Sequence, residues 1–254
     1  MPRIGLFDSG LGGLSVLKTL WLESQGTHFI YFADLKNGPY GSLTKDDVVK
    51  LSVSAFELLL SKKSDAVVFA CNTATSAAAQ FLRETHAIPI FGMEPAVKPA
   101  TEQNPGLPIA IFATELTLKE DKFKNLIEQV GLQNSFLPVP CEGLAKLIDS
   151  GEWDSAWHFL KTRIDSVISK TNIIVLGCTH YVFLKDRITQ NYPNVKVYDG
   201  NLGTSLHIKN KVNLPETGNN SLDIILNTEN PEYVKLTESI VSTFTNSFTI
   251  SLNQ

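Results

Sequence analysis

The stretch VVFACNTATSAA, residues 67–78, is answered by IIVLGCTHYVFL, residues 173–184. Each runs apolar and β-branched, then reaches a small residue, a cysteine and two hydrogen-bonding side chains. Short apolar runs without alternation are the signature of strands buried on both faces of a parallel sheet. The runs AVVFA (66–70) and NIIVLG (172–177) are therefore read as strands, as are IGLF (4–7), HFIYFA (28–33), PIFG (89–92) and IAIFA (109–113). Between them lie LSVLKTLWLES (14–24), KDDVVKLSVSAFELLLSK (45–62) and DKFKNLIEQVG (121–131), whose apolar residues recur every three or four positions, as on one face of a helix. Strands alternating with helices imply an α/β fold built on parallel sheets.

A weaker echo pairs RIGLFDSG (3–10) with PIAIFATE (108–115), and it predicts two similar α/β domains, the first from Met1 and the second from NPGLPIAIFA (104–113). Beyond residue 204, the polar NLPETGNNSLD reads as a turn region, LDIILN as a strand and PEYVKLTESIVSTF as a helix with proline in its first turn. In open parallel sheets the ligand crevice lies just past the carboxyl ends of the strands. FDSGLGG, FADLKNGPYG, ACNTAT, FGMEP, FATELT and LGCTH all begin where an apolar run stops, which gathers the polar residues on that side.

The chain has 254 residues, 43% hydrophobic and 19% charged, with a net charge of −4, which suits a globular protein with a sizeable core. No cluster of Lys and Arg marks a nucleic-acid or membrane-surface footprint, so the expected partner is a small molecule. The N-terminus MPRIGLFDSG has no leader pattern and no apolar run approaches the roughly 18 residues of a membrane span, so a cytoplasmic protein is expected. Cys71, Cys141 and Cys178 are too few and too scattered for a disulfide framework and are read as free thiols.

DSGLGGLS partly fits a dinucleotide fingerprint, with Gly10 and Gly12 in place and Asp34 at the end of the next strand. Against that, Ser15 stands where Gly or Ala is wanted, and the carboxylate of Asp8 would repel a pyrophosphate. Glycines in such a loop serve equally for a tight turn and a close helix. A carboxylate beside free N–H groups instead suits a ligand that carries both charges, as a free amino acid does.

A lone cysteine is ordinarily a small buried hydrophobe, and Cys141 in PVPCEGL is read so. Cys71 and Cys178 differ, since each follows a buried strand and each precedes polar groups, Asn72 and Thr73 or Thr179 and His180. Zinc on Cys71, Cys178, His180 and Asp8 lacks a usual ligand spacing, so no metal is expected. A single cysteine nucleophile with His180 as base leaves the second thiol without a task. Two matched thiols do have a joint use in inverting an acidic carbon: a thiolate takes the proton from one face while a thiol returns one to the other. From a free value of about 8.5, only modest lowering of a thiol is then expected. Loop N–H groups, Ser9, Asn72, Thr73 and Thr179 would support the carbanion, and Asp8 and His180 would tune the thiols.

At these residues the chain resembles the glutamate racemases, the cofactor-independent enzymes that supply D-glutamate for peptidoglycan. The matching stretches are FDSGLGGLSVL (7–17), YFADLKNGPYG (31–41), VVFACNTATSA (67–77), GMEPAV (92–97), LGCTHY (176–181) and DGNLGTS (199–205). The resemblance implies two pseudo-symmetric parallel-sheet, flavodoxin-like domains with the active site between them. The C-terminal segment would return to the first, giving residues 1–97 plus 205–254 and residues 98–204. It implies that Cys71, assisted by Asp8, acts on the D-isomer and Cys178, assisted by His180, on the L-isomer. Asp8, Ser9, Tyr40, Gly41, Asn72, Thr73, Thr179 and His180 would contact glutamate, with no cofactor. In KLIDSGE, Asp149 stands where the family often has a supporting Glu, and Val182 and Phe183 replace a Pro-Leu pair. The resemblance leaves a homodimer allowed. It also leaves open a related racemase or decarboxylase acting on aspartate or another small carboxylate, or a binding protein with a relict site.

Overall fold

The computed structural model describes residues 1–130 and 134–253. Ten strands are present among them: β1 (Arg3–Asp8), β2 (His28–Ala33), β3 (Ala66–Phe69), β4 (Ile90–Gly92), β5 (Ile109–Ala113), β6 (Phe136–Pro140), β7 (Ile173–Leu176), β8 (Lys196–Asp199), β9 (Ser221–Leu226) and β10 (Thr249–Leu252). They form two sheets, ordered β10-β9-β2-β1-β3-β4 and β6-β5-β7-β8. All pairings are parallel, as the unalternating runs predict.

Successive residues of each central strand enter cores on opposite faces. Ile4, Leu6, Phe29, Tyr31 and Val68 belong to one core of the larger sheet, while Phe7, Ile30, Phe32, Val67 and Phe69 belong to the other. Ala110, Phe112, Ile174 and Leu176 are likewise separated from Ile109, Ile111, Ile173 and Val175 in the smaller sheet. Burial on both sides is why these segments read as continuous apolar runs.

Three strands escape that reading, β6 (FLPVP), β8 (KVYD) and β10 (TISL). Each lies at a sheet margin and is largely exposed or half-buried, so no continuous apolar run is needed. Pro138 and Pro140 are tolerated in β6 because an edge strand has one side without ladder partners.

The helices follow the sequence closely. Leu14–Glu23, Lys45–Ser61 and Pro231–Val241 lie where expected, and Asp121–Val130 covers the described part of the fourth. Thr44 starts the second by accepting from Asp47 N, and Asn230 starts Pro231–Val241 by accepting from Glu232 N at 3.0 Å, both standard N-caps. After β8 the helix Asn201–Val212 packs on Leu14–Glu23, and Ile208 joins the core of the larger sheet. Among the described residues no helix is long and apolar enough to cross a membrane.

Register aligns the carboxyl ends that matter. Phe7 pairs with Phe69, so Asp8 and Cys71 leave the larger sheet side by side; Leu176 pairs with Phe112, which does the same for Cys178 and Thr114. The two sets of ends meet through hydrogen bonds from one sheet to the other.

Candidate active site

Cys71 stands at the cap of helix Asn72–Thr85, where its Sγ accepts from Ala74 N at 3.4 Å and lies 3.5 Å from Ser9 Oγ. Asp8 ends β1 with its carboxylate wholly buried. One oxygen accepts from Gly10 N at 2.9 Å, the other from Thr179 Oγ1 at 3.0 Å, so a first-sheet acid grips the residue that follows Cys178. Burial raises Asp8 from 3.8 to about 6, against the pull of His180 and of these two donors.

From the smaller sheet, Cys178 faces His180, with Nδ1 3.7 Å from its sulfur. The other ring nitrogen, Nε2, is 3.0 Å from both oxygens of Asp149 and 3.2 Å from Gly12 N. The carboxylate is the stronger attraction, so Nε2 carries its proton toward Asp149 and Nδ1 serves the sulfur. Burial opposes a charged imidazole here, yet the Asp149 carboxylate outweighs it and holds His180 well above the ordinary 6.5. Asp149 is anchored in turn by Leu11 N at 2.9 Å.

These contacts account for the glycines of DSGLGG. A Cβ on Gly10 would lie 2.2 Å from Asp149 Oδ2, and one on Gly12 would lie 2.3 Å from His180 Nδ1. The loop is bare so that the acid–histidine pair of the other sheet can sit directly on it. Asp34 is equally committed, with Asn37, Tyr40 and Asn227 all donating to its carboxylate. The loop and acid that suggested a dinucleotide site are thus occupied by the protein's own side chains, which removes that alternative.

The sequence reading expected modest lowering of the thiols, and for Cys71 the structure reverses it. Burial, then the nearby Asp8 charge, push the Cys71 thiol up to about 12, while Ser9 and Ala74 N act in the opposite direction. A charge on Cys178 also raises Cys71, which places the two sulfurs within each other's field. Cys141 is buried too, and its thiol donates to Val139 O at 3.5 Å, the contact of a packed core residue.

The remaining expected residues fall as follows. Ser9, Asn72, Thr73 and Thr179 are all buried around the two cysteines. Thr73 Oγ1 lies 3.1 Å from Thr114 Oγ1 and 3.3 Å from Thr117 Oγ1, and Thr114 donates to Thr117 at 2.9 Å. Thr114 and Thr117 were missed by sequence reasoning, though the echo between FDSG and FATE marked Thr114 as the second-half counterpart of the Asp8 loop. Gly41 packs against Thr114, where a Cβ would meet Cγ2 at 2.9 Å. Tyr40 is buried against Phe7 with its hydroxyl on Asp34, so its side chain braces the loop and leaves Gly41 the closer neighbour of the threonines. Taken together, two thiols at the ends of different sheets, set among buried hydrogen-bonding groups, supply the chemistry needed to hold a small zwitterion and move protons at an acidic carbon.

The Asp/Glu/Hydantoin racemase family matches residues 20–203. Glutamate racemase from Leptospira interrogans is 44% identical over 248 residues, covering 94% of this chain and 97% of its own. Glutamate racemase from Clostridium perfringens is 39% identical over 248 residues, covering 94% and 95%. The crystal structure of Escherichia coli glutamate racemase with L-glutamate and the activator UDP-MurNAc-Ala superposes with a TM-score of 0.86 at 22% identity, over 99% of this chain and 98% of that one.

Proposed function

The chain belongs to the Asp/Glu/Hydantoin racemase family, and from that membership and the paired thiols we propose that it interconverts L- and D-glutamate by two-thiol proton transfer. The observation that supports it is that Cys71, beside Ser9, and Cys178, beside His180, lie at strand ends of different sheets that the Asp8–Thr179 bond joins.

Glutamate places its ammonium beside Asp8 and its carboxylates among Asn72, Thr73, Thr179 and the loop N–H groups. In the L-to-D direction, Cys178 as thiolate takes the α-proton. The electron pair stays on carbon and is delocalised into the carboxylate, and Cys71, held as a thiol by burial and Asp8, gives its proton to the opposite face. The sulfurs have then exchanged protonation states. For the reverse direction the substrate ammonium and the N-terminus of helix Asn72–Thr85 supply the positive field that Cys71 needs in order to lose its proton. His180, a cation against Asp149, steadies negative charge on Cys178 while that sulfur acts as base. No cofactor or metal enters the scheme, and its product serves cell-wall synthesis, the role that accompanies this activity.

The test is incubation of purified protein with L-glutamate in deuterated water without pyridoxal phosphate. Loss of optical rotation with deuterium at the α-carbon is expected. Racemisation of aspartate in place of glutamate would move the assignment to another small carboxylate, and no exchange with either would overturn it.

A further inference from the structure

Ser15 is the residue that spoils the dinucleotide fingerprint, and DGNLGTS (199–205) is a motif the scheme above leaves without a task. The structure joins them. Ser15 Oγ donates to Thr179 O at 3.1 Å, across the boundary between the sheets. Asn201 Nδ2 donates to Ser15 Oγ at 3.1 Å, and Asn201 N donates to Asp199 Oδ1 at 3.0 Å. The other Asp199 oxygen pairs with Lys185 Nζ at 2.6 Å. Thr179 opens, and Lys185 directly follows, the short 3-10 turn Thr179–Leu184 that carries His180. Both ends of that turn are therefore fastened to Asp199–Asn201, one of them through Ser15.

The relay has a direction. Were the Asn201 amide reversed, its oxygen would take the Ser15 proton and Thr179 O would lose its donor. In the orientation found, Asn201 Oδ1 is buried and without a hydrogen-bond partner. The Thr179 peptide lies between Cys178 and His180, whose side chains must keep their 3.7 Å contact, and the Thr179 hydroxyl holds Asp8.

We propose that Asn201, acting through Ser15, is a positioning residue for the Cys178 half of the site, setting the Thr179 peptide so that sulfur, imidazole and Asp8 stay in register. The proposal rests on the two-thiol reading, from which it takes the assignment of Cys178 to L-glutamate.

The experiment compares the full-length protein with Ser15→Ala, Asn201→Ala and the double variant. Loss of one neutral hydrogen bond predicts a fall in kcat of about five- to tenfold in each single variant. The double variant should be no slower than the singles, since one relay is broken once. The substrate isotope effect on kcat/KM should rise for [2-²H]-L-glutamate, whose deuterium Cys178 removes, and not for the D-isomer. Asn201→Ala should lose more kcat than its change in Tm accounts for, because the substitution acts on the Thr179 peptide. Additive losses, isotope effects that rise equally for both isomers, or a kcat loss accompanied by a matching fall in Tm would overturn the proposal. Racemisation by the parent protein judges the two-thiol reading separately. If the parent racemises and the variants behave in any of these latter ways, only the positioning role falls; if the parent does not racemise, both fall.

Discussion

In Asp8→Asn the buried carboxylate that meets Gly10 N and Thr179 Oγ1 becomes a neutral amide. Unfolded, Asp8 ionises near 3.8; folded, burial delays this to about 6. As pH rises through that interval the unfolded chain loses its proton first, so the parent protein loses stability there and carries the full penalty above it. The rise from 3.8 to about 6 corresponds to about 3 kcal/mol, at roughly 1.4 kcal/mol per pH unit. The amide oxygen can still accept from one of the two donors, and the lost bond offsets about 1 kcal/mol of the gain. Asp8→Asn is therefore expected to be about 2 kcal/mol more stable than the parent at pH 8 in urea unfolding, equivalent to ~4–8 °C in Tm. At pH 4 or below the advantage should vanish or reverse. Racemisation should fall at the same time, because the ammonium loses its counter-charge. A stability difference that is the same at both pH values, or a variant less stable at pH 8, would refute the account of Asp8 as an acid kept charged at a cost.

Cys71→Ser and Cys178→Ser should each abolish turnover in a polarimetric assay, whereas Cys141→Ser, a change in the core, should keep kcat within about threefold. Gly12→Ala drives a Cβ to within 2.3 Å of His180 Nδ1, so kcat should drop by at least ~100-fold, with His180 NMR shifts displaced. Asp149→Asn removes the charge that holds His180 protonated; kcat should fall by about 10- to 100-fold, and the rate should decline with rising pH at a lower pH than in the parent, as His180 loses its proton earlier. Thr114→Val takes a hydroxyl from the threonine cluster and should raise KM for glutamate about fivefold with a smaller effect on kcat.

The interior was legible, as was the buried edge strand β4, while the exposed margins were not. Residues such as Val67, Val68, Ile174 and Val175 are buried on whichever face they point to, and burial leaves a compositional mark that needs no partner to interpret. β8 and β10 leave no such mark because their neighbours supply the pairing and water covers the rest. In the site, Cys71, Cys178, Asp8 and His180 announce themselves by residue type and place. Thr114 and Thr117 do not, since a threonine after a strand is ordinary and only the approach of Thr73 from the other sheet gives it meaning. The direction of the Cys71 shift was also beyond the sequence, for it depends on how deeply the thiol is enclosed and how near the Asp8 charge comes.

The Asp8–Thr179 and Thr73–Thr114 bonds both stitch one half of the molecule to the other, using the very groups that would greet a guest. Glutamate bound as proposed would open these bonds and answer each freed hydroxyl with an atom of its own. On the proposed scheme, occupancy of the site and the fastening of the two halves draw on the same hydroxyls, so the one is coupled to the other.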